Sequence, residues 1–131
     1  MRVAVLGAWH LGAVVAAANA SWGRTVAVWD RDRRTRDALS TGRAMVREPG
    51  LDELLQDAGA RLNVTEDAES AIAGADTVVI AYDTPVNERD ELDLSPIDEA
   101  LELVVIHADP GCLIVVHSQV PVGFTRDRTS R

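Results

Sequence analysis

The sequence predicts an α/β fold in which a doubly wound parallel sheet of about five strands is covered by helices on both faces. Two observations favour this class: strand-like and helix-like segments alternate along the chain, and the strand-like segments are continuous runs rich in Val and Ile. Such runs are typical of parallel strands buried on both faces, and right-handed crossovers between them give the strand order 3-2-1-4-5. We therefore expect one domain spanning residues 1–131.

In the first half of the chain, strand-like and helix-like segments alternate and glycines separate them. Val3, Val5 and Leu6 indicate a short buried strand, and an alanine-rich helical segment follows the first glycines. Gly23 and Gly42 each follow a helix-like segment, where glycine favours a helix end. The predicted elements are a strand over 1–6, a turn over 7–12, a helix over 13–22, a strand over 25–29 and a helix over 33–39.

The second half continues the alternation through a long polar loop. Ser95 is expected to cap a helix whose first position is Pro96, and the polar tail over 126–131 is expected to fray. The chain stops where a sixth strand would be expected, so we predict a sheet truncated at that point. The predicted elements are a turn over 48–51, helices over 52–57, 67–73 and 95–107, strands over 61–64, 77–81 and 112–117, a loop over 82–94 and a turn over 109–111.

Composition excludes several classes of protein. The net charge of −8 argues against broad binding to nucleic acid, and every basic residue is Arg. No apolar run has the length of a membrane span and the first residues lack the order of a signal peptide, so we expect no membrane contact. The lone Cys112 can form neither an internal disulfide nor a metal cluster, and we interpret it as a buried core residue of the fifth strand. These features favour the cytoplasm.

A glycine-containing turn joins the first strand to the first helix. Gly7 and Gly12 occupy the outer positions of the dinucleotide-binding pattern G-x-G-x-x-G, and Trp9 stands at its middle glycine. The first glycine permits the tight turn, and the third lets the helix pack closely on the strand. The N-terminus of that helix, beginning near Leu11, offers free N–H groups and a positive dipole to a pyrophosphate.

An acidic residue strengthens this interpretation. Asp30 closes the second strand, eighteen residues after Gly12, where a carboxylate is expected to accept hydrogen bonds from adenosine ribose hydroxyls. The alternative is a solvated helix-cap or turn residue. Arg31, Arg33 and Arg34 follow and could pair with a 2′-phosphate, but Asp30 predicts a preference for NAD over NADP.

Trp9 has two interpretations that the sequence leaves open. It is either a packing residue beside a degenerate loop or a bulky rim next to the pyrophosphate. We interpret His10 as a first-turn residue that faces solvent or phosphate, rather than as a catalytic base. His107 and His117 have no metal-type companions nearby, so we interpret both as structural.

Two later segments make a family resemblance specific. Asp83-Thr84-Pro85 follows the fourth strand, and a Ser118–Gly123 segment, S-Q-V-P-V-G, follows the fifth. With the glycine turn, Asp30, E-P-G-L over 48–51 and A-D over 75–76, they make the chain resemble the UDP-glucose/GDP-mannose dehydrogenase family over essentially its whole length. That family usually reads G-T-P and S-T-V-P-V-G in these places, so Trp9, Asp83 and Gln119 are departures.

The resemblance implies a Rossmann domain that binds NAD, with Thr84, Pro85 and Gln119 lining the cofactor site. Enzymes of this family oxidise the C6 alcohol of a nucleotide sugar twice, to a uronic acid, with a Cys nucleophile assisted by Lys, Asn and Asp. By resemblance those groups lie in central and C-terminal regions, so we expect no catalytic or metal-binding residue here. Nucleotide sugar would bind only together with those regions, and an uncovered apolar surface would favour self-association.

Two other functions stay open on the sequence alone. The chain could be a stand-alone module that holds a dinucleotide and catalyses nothing, or it could belong to a different Rossmann dehydrogenase, such as a 3-hydroxyacid or 6-phosphogluconate type. The segment over 118–123 argues against the latter.

Overall fold

A five-stranded parallel sheet organises the computed structural model, which describes residues 1–129. The strand order is β3-β2-β1-β4-β5, which confirms the predicted doubly wound fold. Neighbouring strands are in register, with Val5 opposite Val28 on one side and Val79 on the other. The strands are β1 (Arg2–Leu6), β2 (Thr25–Trp29), β3 (Leu62–Val64), β4 (Thr77–Ile80) and β5 (Leu113–Val116).

Helices cover the sheet and agree with the predicted segments to within two residues at most ends. The first helix begins at Leu11, earlier than predicted, because the His10 carbonyl already accepts bonds from the N–H groups of Ala13 and Val14. The helices are α1 (Leu11–Ser21), α2 (Arg33–Ser40), α3 (Leu51–Ala58), α4 (Ala68–Ile72), α5 (Ser95–His107) and α6 (Phe124–Thr129), with a 3-10 turn over Gly59–Arg61. Within residues 1–129, none of them combines the length and apolar character needed to span a bilayer.

Two hydrophobic clusters lie on opposite faces of the sheet. Side chains alternate along a strand, so Val3 and Val5 face α1 and α3, whereas Ala4 and Leu6 face α4 and α5. Both faces of β1 are therefore buried beyond Arg2, which explains why residues 3–6 are all apolar. The alanines on the inner side of α1 let that helix approach the strands closely.

The start of α5 differs from the prediction. Leu94, not Ser95, is the N-cap residue, and Ser95 is already helical. The carboxylate of Asp93 accepts hydrogen bonds from the Ser95 backbone N–H (3.0 Å) and from its hydroxyl (2.7 Å). Asp93 thus satisfies the first free N–H group, and Pro96 fits the first turn as predicted.

The tail was predicted to fray, and this prediction is wrong for residues 126–129, which belong to α6. This helix packs against α5. Phe124 is buried in the cluster beside α5. The Arg128 guanidinium makes a two-pronged contact with Asp98 at 2.7 and 2.8 Å and lies over the Phe124 ring. Residues 130–131, the rest of the predicted frayed segment, lie outside the described residues.

Strand β5 is an edge strand whose apolar residues are only partly covered. Leu113 is 60% exposed, and Ile114 and Val115 are also exposed, as are Val105 and Ile106 on α5. A run of apolar residues was expected to be buried on both faces, but an edge strand has a neighbour on one side only. The expected uncovered apolar surface is therefore present at this edge.

Candidate cofactor site

A cleft of about 700 Å³ opens at the carboxyl ends of the strands. Loops that leave β1, β2, β4 and β5 meet there, which is where open α/β sheets bind ligands. The residues that line it are Trp9, His10, Leu11, Asp30, Arg31, Asp32, Thr35, Tyr82, Asp83, Thr84, Pro85, Pro96, His117, Ser118 and Gln119.

The two glycines of the turn lie beneath the cleft and shape it without lining it. Gly7 has φ +87°, and its N–H donates to the Trp29 carbonyl at 3.0 Å. A Cβ on Gly12 would overlap the Gly7 carbonyl oxygen and lie 3.3 Å from a Val5 methyl. These contacts explain why the turn needs glycine at both positions.

The N-terminus of α1 points its first-turn N–H groups into this cleft. The N–H groups of Leu11 and Gly12 precede the first intrahelical bonds, which Ala13 and Val14 make to the His10 carbonyl, and the first turn contains no acidic side chain. Leu11 and His10 line the cleft at this point. The residues present therefore fit the pyrophosphate of a dinucleotide, which helix N-termini bind through N–H groups and dipole.

Asp30 is buried, with only 4% of its surface exposed. One carboxylate oxygen accepts from the Ala8 N–H at 2.6 Å, and the other accepts from the Asp32 N–H at 2.8 Å. Asp30 therefore connects the glycine turn to the end of β2. The N-cap residue of α2 is Asp32, whose side chain accepts a hydrogen bond from the Arg34 N–H. Each carboxylate oxygen has a further lone pair, so Asp30 can still accept from a ribose hydroxyl.

Three of the four arginines that follow Asp30, at positions 31, 33 and 36, contact other groups of the chain. Arg31 contacts Glu99 on α5 at 3.2 Å, and Arg33 contacts Asp37 at 3.5 Å. Arg36 donates to the Asp30 carbonyl at 2.6 Å. Of these three arginines only Arg31 lines the cleft.

Trp9 and His10 stand at the rim of the cleft. Trp9 is 49% exposed and makes an edge contact with the His10 ring. His10 does not simply face solvent or phosphate, because its Nε2 lies 2.8 Å from a Glu48 carboxylate oxygen. This pair joins the glycine turn to the E-P-G-L segment.

Residues after β4 and β5 form the wall of the cleft that faces the end of β2. Thr84, Pro85 and Gln119 line the cleft with Asp83 and Ser118, as the resemblance implies for their position. The structure thus brings together all the predicted cofactor residues except the two glycines beneath them.

Sequence reasoning missed several residues of the wall. Tyr82 lies two residues after the end of β4 and could have been found from its place at a carboxyl end. His117 directly follows β5 and could have been found by the same rule, whereas Thr35 and Pro96 lie on helices and reach the cleft only through packing. His117 was interpreted as structural, and the structure places it in the wall.

Cys112 lies at the other end of the sheet. It precedes β5, whose carboxyl end faces the cleft, so about 13 Å of strand separates the thiol from the site. It is half-buried rather than fully buried as predicted, because β5 is an edge strand. Burial, and to a lesser degree the charges of Asp76 and Asp109, raise the pKa of the thiol, which keeps it unreactive.

Comparison with known proteins agrees with this site. The model of the UDP-glucose/GDP-mannose dehydrogenase family, NAD binding domain, matches residues 1–130. The chain is 37% identical to UDP-glucose 6-dehydrogenase from Pseudomonas aeruginosa over 94% of its own length and 28% of that protein.

Solved structures give the same result. UDP-D-ManNAc dehydrogenase from Pyrococcus horikoshii matches with a TM-score of 0.89 and 31% identity, over 97% of this chain and 30% of that one. A ternary complex of GDP-mannose dehydrogenase from Pseudomonas aeruginosa matches with a TM-score of 0.89 and 28% identity, over the same shares. The chain thus spans under a third of these relatives. Because the family model covers almost the entire sequence, the chain belongs to the UDP-glucose/GDP-mannose dehydrogenase family, whose NAD-binding domain it represents.

Proposed function

We propose that this chain supplies the cofactor site of a nucleotide-sugar 6-dehydrogenase, which oxidises the C6 alcohol of a UDP-glucose-like sugar to a uronic acid. The observation that carries the proposal is the cleft, where the α1 N-terminus, Asp30 and the Thr84 loop converge. NAD supplies the hydride acceptor when it is bound. The chain's own residues bind and orient it.

The residues along the cleft favour one orientation of the bound dinucleotide. Asp30 lies at the β2 end and suits the adenosine ribose, whereas the loops after β4 and β5 line the other end and suit the nicotinamide. The α1 N-terminus lies between them and suits the pyrophosphate. In this arrangement Gly7 and Gly12 shape the turn, Trp9, His10 and Leu11 border the phosphates, and Thr84, Pro85 and Gln119 border the nicotinamide.

The sugar chemistry is assigned to residues beyond this chain. The sequence has no Lys and a single Cys, and that Cys112 lies at the wrong end of the sheet for a nucleophile in the cleft. The roles that the resemblance gives to Cys and Lys therefore need a longer polypeptide. We propose a cytoplasmic location for this chain on the use of NAD.

We also propose that NAD is preferred over NADP. A 2′-phosphate would approach the buried carboxylate of Asp30, and the nearby Arg31 and Arg36 are held by Glu99 and by a backbone carbonyl. The repulsion between the 2′-phosphate and the Asp30 carboxylate would therefore be poorly compensated by these arginines.

Calorimetric titration with NAD and NADP tests the proposal. We expect NAD to bind more tightly, and we expect Asp30→Asn to weaken NAD by about tenfold or more, since hydrogen bonds to a charged group contribute about 1.5–3 kcal/mol. The matched control is Asp37→Asn, which removes an exposed carboxylate of α2 outside the cleft. Equal or tighter binding of NADP would refute the role of Asp30, and absence of NAD binding would refute the proposed function.

A further inference from the structure

Tyr82 crosses the floor of the cleft from β4 to β2. It lies two residues after the end of β4, and its ring lies on Gly7, where an added Cβ would sit 2.8 Å from Tyr82 Cγ and Cδ1. Its hydroxyl accepts a hydrogen bond from the Arg31 backbone N–H at 3.3 Å. The phenol therefore reaches the end of β2, next to Asp30.

The hydroxyl of Tyr82 has a proton to donate. A phenol has one donor and can also accept, and the Arg31 N–H occupies an acceptor position. Within residues 1–129, no protein acceptor takes the O–H of Tyr82. Burial first, and then the negative charge of Asp30, raise the pKa of this phenol, so it stays protonated at neutral pH.

Asp30 and Tyr82 thus place a hydrogen-bond acceptor and a hydrogen-bond donor next to each other. A carboxylate, as at Asp30, offers only acceptors, whereas the phenol can donate. A sugar hydroxyl both donates and accepts, so one hydroxyl can give its proton to Asp30 and receive one from Tyr82. Two such bonds fix the hydroxyl in one orientation.

We propose that Tyr82 is a ribose-binding residue that donates a hydrogen bond to the adenosine ribose hydroxyl held by Asp30. The proposal rests on the proposed function, because it requires NAD to place its adenosine at the β2 end of the cleft. The ring of Tyr82 also fills the space above Gly7, which sets the depth at which the ribose lies.

The test is calorimetric titration of the wild type and Tyr82→Phe with NAD, 2′-deoxy-NAD and 3′-deoxy-NAD. Phe keeps the ring on Gly7 and removes only the hydroxyl, and thermal unfolding verifies that the variant is folded. We expect Tyr82→Phe to weaken NAD about three- to tenfold, as loss of one hydrogen bond predicts. Trp22→Phe is the matched control, because Trp22 is an exposed aromatic residue outside the cleft, and NAD affinity should not change.

The deoxy analogues separate direct contact from an effect on the Arg31 loop. If Tyr82 contacts the ribose, removing the relevant hydroxyl from the ligand weakens binding to the wild type more than binding to Tyr82→Phe. Weakening of all three ligands by one common factor would show that Tyr82 acts only through Arg31 and would overturn the proposal. Unchanged NAD affinity in Tyr82→Phe would overturn it while leaving the proposed function intact, whereas failure of the wild type to bind NAD would overturn both.

Discussion

Replacing Gly12 by Ala tests whether close packing of α1 on β1 holds the cofactor site in shape. The added Cβ would overlap the Gly7 carbonyl oxygen and lie 2.8 Å from the Gly7 carbonyl carbon. An ordinary contact between carbon atoms is about 3.5–4.0 Å, so α1 or the turn must move by at least about 0.7 Å. The neighbouring side of α1 is fully buried against the sheet and offers no free space.

The magnitude follows from two opposing effects. Overpacking costs about 1–3 kcal/mol and more where backbone must move, and we take about 4 kcal/mol here. Ala is favoured over Gly in a helix by about 1 kcal/mol, which leaves a net loss of about 3 kcal/mol. For a domain of this size each kcal/mol lowers Tm by about 4 °C, so Tm should fall by roughly 12 °C.

Thermal unfolding measures this loss, and titration with NAD shows whether the site is displaced. Gly23→Ala is the control, because Gly23 has φ +81° but nothing within 4 Å of an added Cβ. It should lose about 1–2 kcal/mol through backbone strain alone and should keep its NAD affinity. Gly12→Ala with stability and NAD affinity equal to those of Gly23→Ala would refute the packing argument.

Three further predictions concern cofactor binding, pH and catalysis. Trp9→Gly should tighten NAD binding severalfold if the indole crowds the phosphates, and a clear loss of affinity in calorimetry would show instead that Trp9 makes favourable contacts. The pKa of Tyr82 is raised above the value of about 10 that the unfolded chain has. Below pH 10 both states keep the proton, and the free energy of unfolding does not depend on it. Above pH 10 the unfolded chain releases a proton that the folded chain retains, so the free energy of unfolding falls as pH rises. Urea unfolding at pH 9 and pH 11 should therefore show a larger decline for the wild type than for Tyr82→Phe, and equal declines would contradict this. The chain alone should form no NADH from UDP-glucose at 340 nm, and turnover abolished by Cys112→Ser would contradict the assignment of sugar chemistry to other residues.

Much of the cofactor site was predictable because its pattern is local. Strand β1, Gly7, Gly12 and α1 are contiguous in the chain, and within that short segment Gly7 adopts a positive φ and a Cβ on Gly12 would overlap the Gly7 carbonyl oxygen. Asp30 ends the next strand, and parallel strands joined by right-handed crossovers must end at the same edge of the sheet. The same rule places Thr84 and Gln119 in the cleft, since each follows a neighbouring strand.

Other features of the site depended on which residues become neighbours in space. Tyr82 reaches Arg31 across 51 positions of sequence, and His10 reaches Glu48 across 38. No periodicity or propensity determines such pairs, because they depend on how closely α1 and the loops approach the sheet.

The sequence by itself determined the doubly wound sheet, the glycine turn and the carboxylate at the end of β2, since each follows from periodicity or from the geometry of adjacent residues. Only the tertiary structure decided that Asp93 satisfies the N–H of Ser95, that Arg128 fixes α6 to Asp98, and that the apolar run of β5 lies at an exposed edge. An apolar run predicts a strand, but whether that strand is buried depends on what packs beside it. A polar tail predicts no structure of its own, and here it is ordered by an ion pair and a buried Phe124 that bring distant segments together.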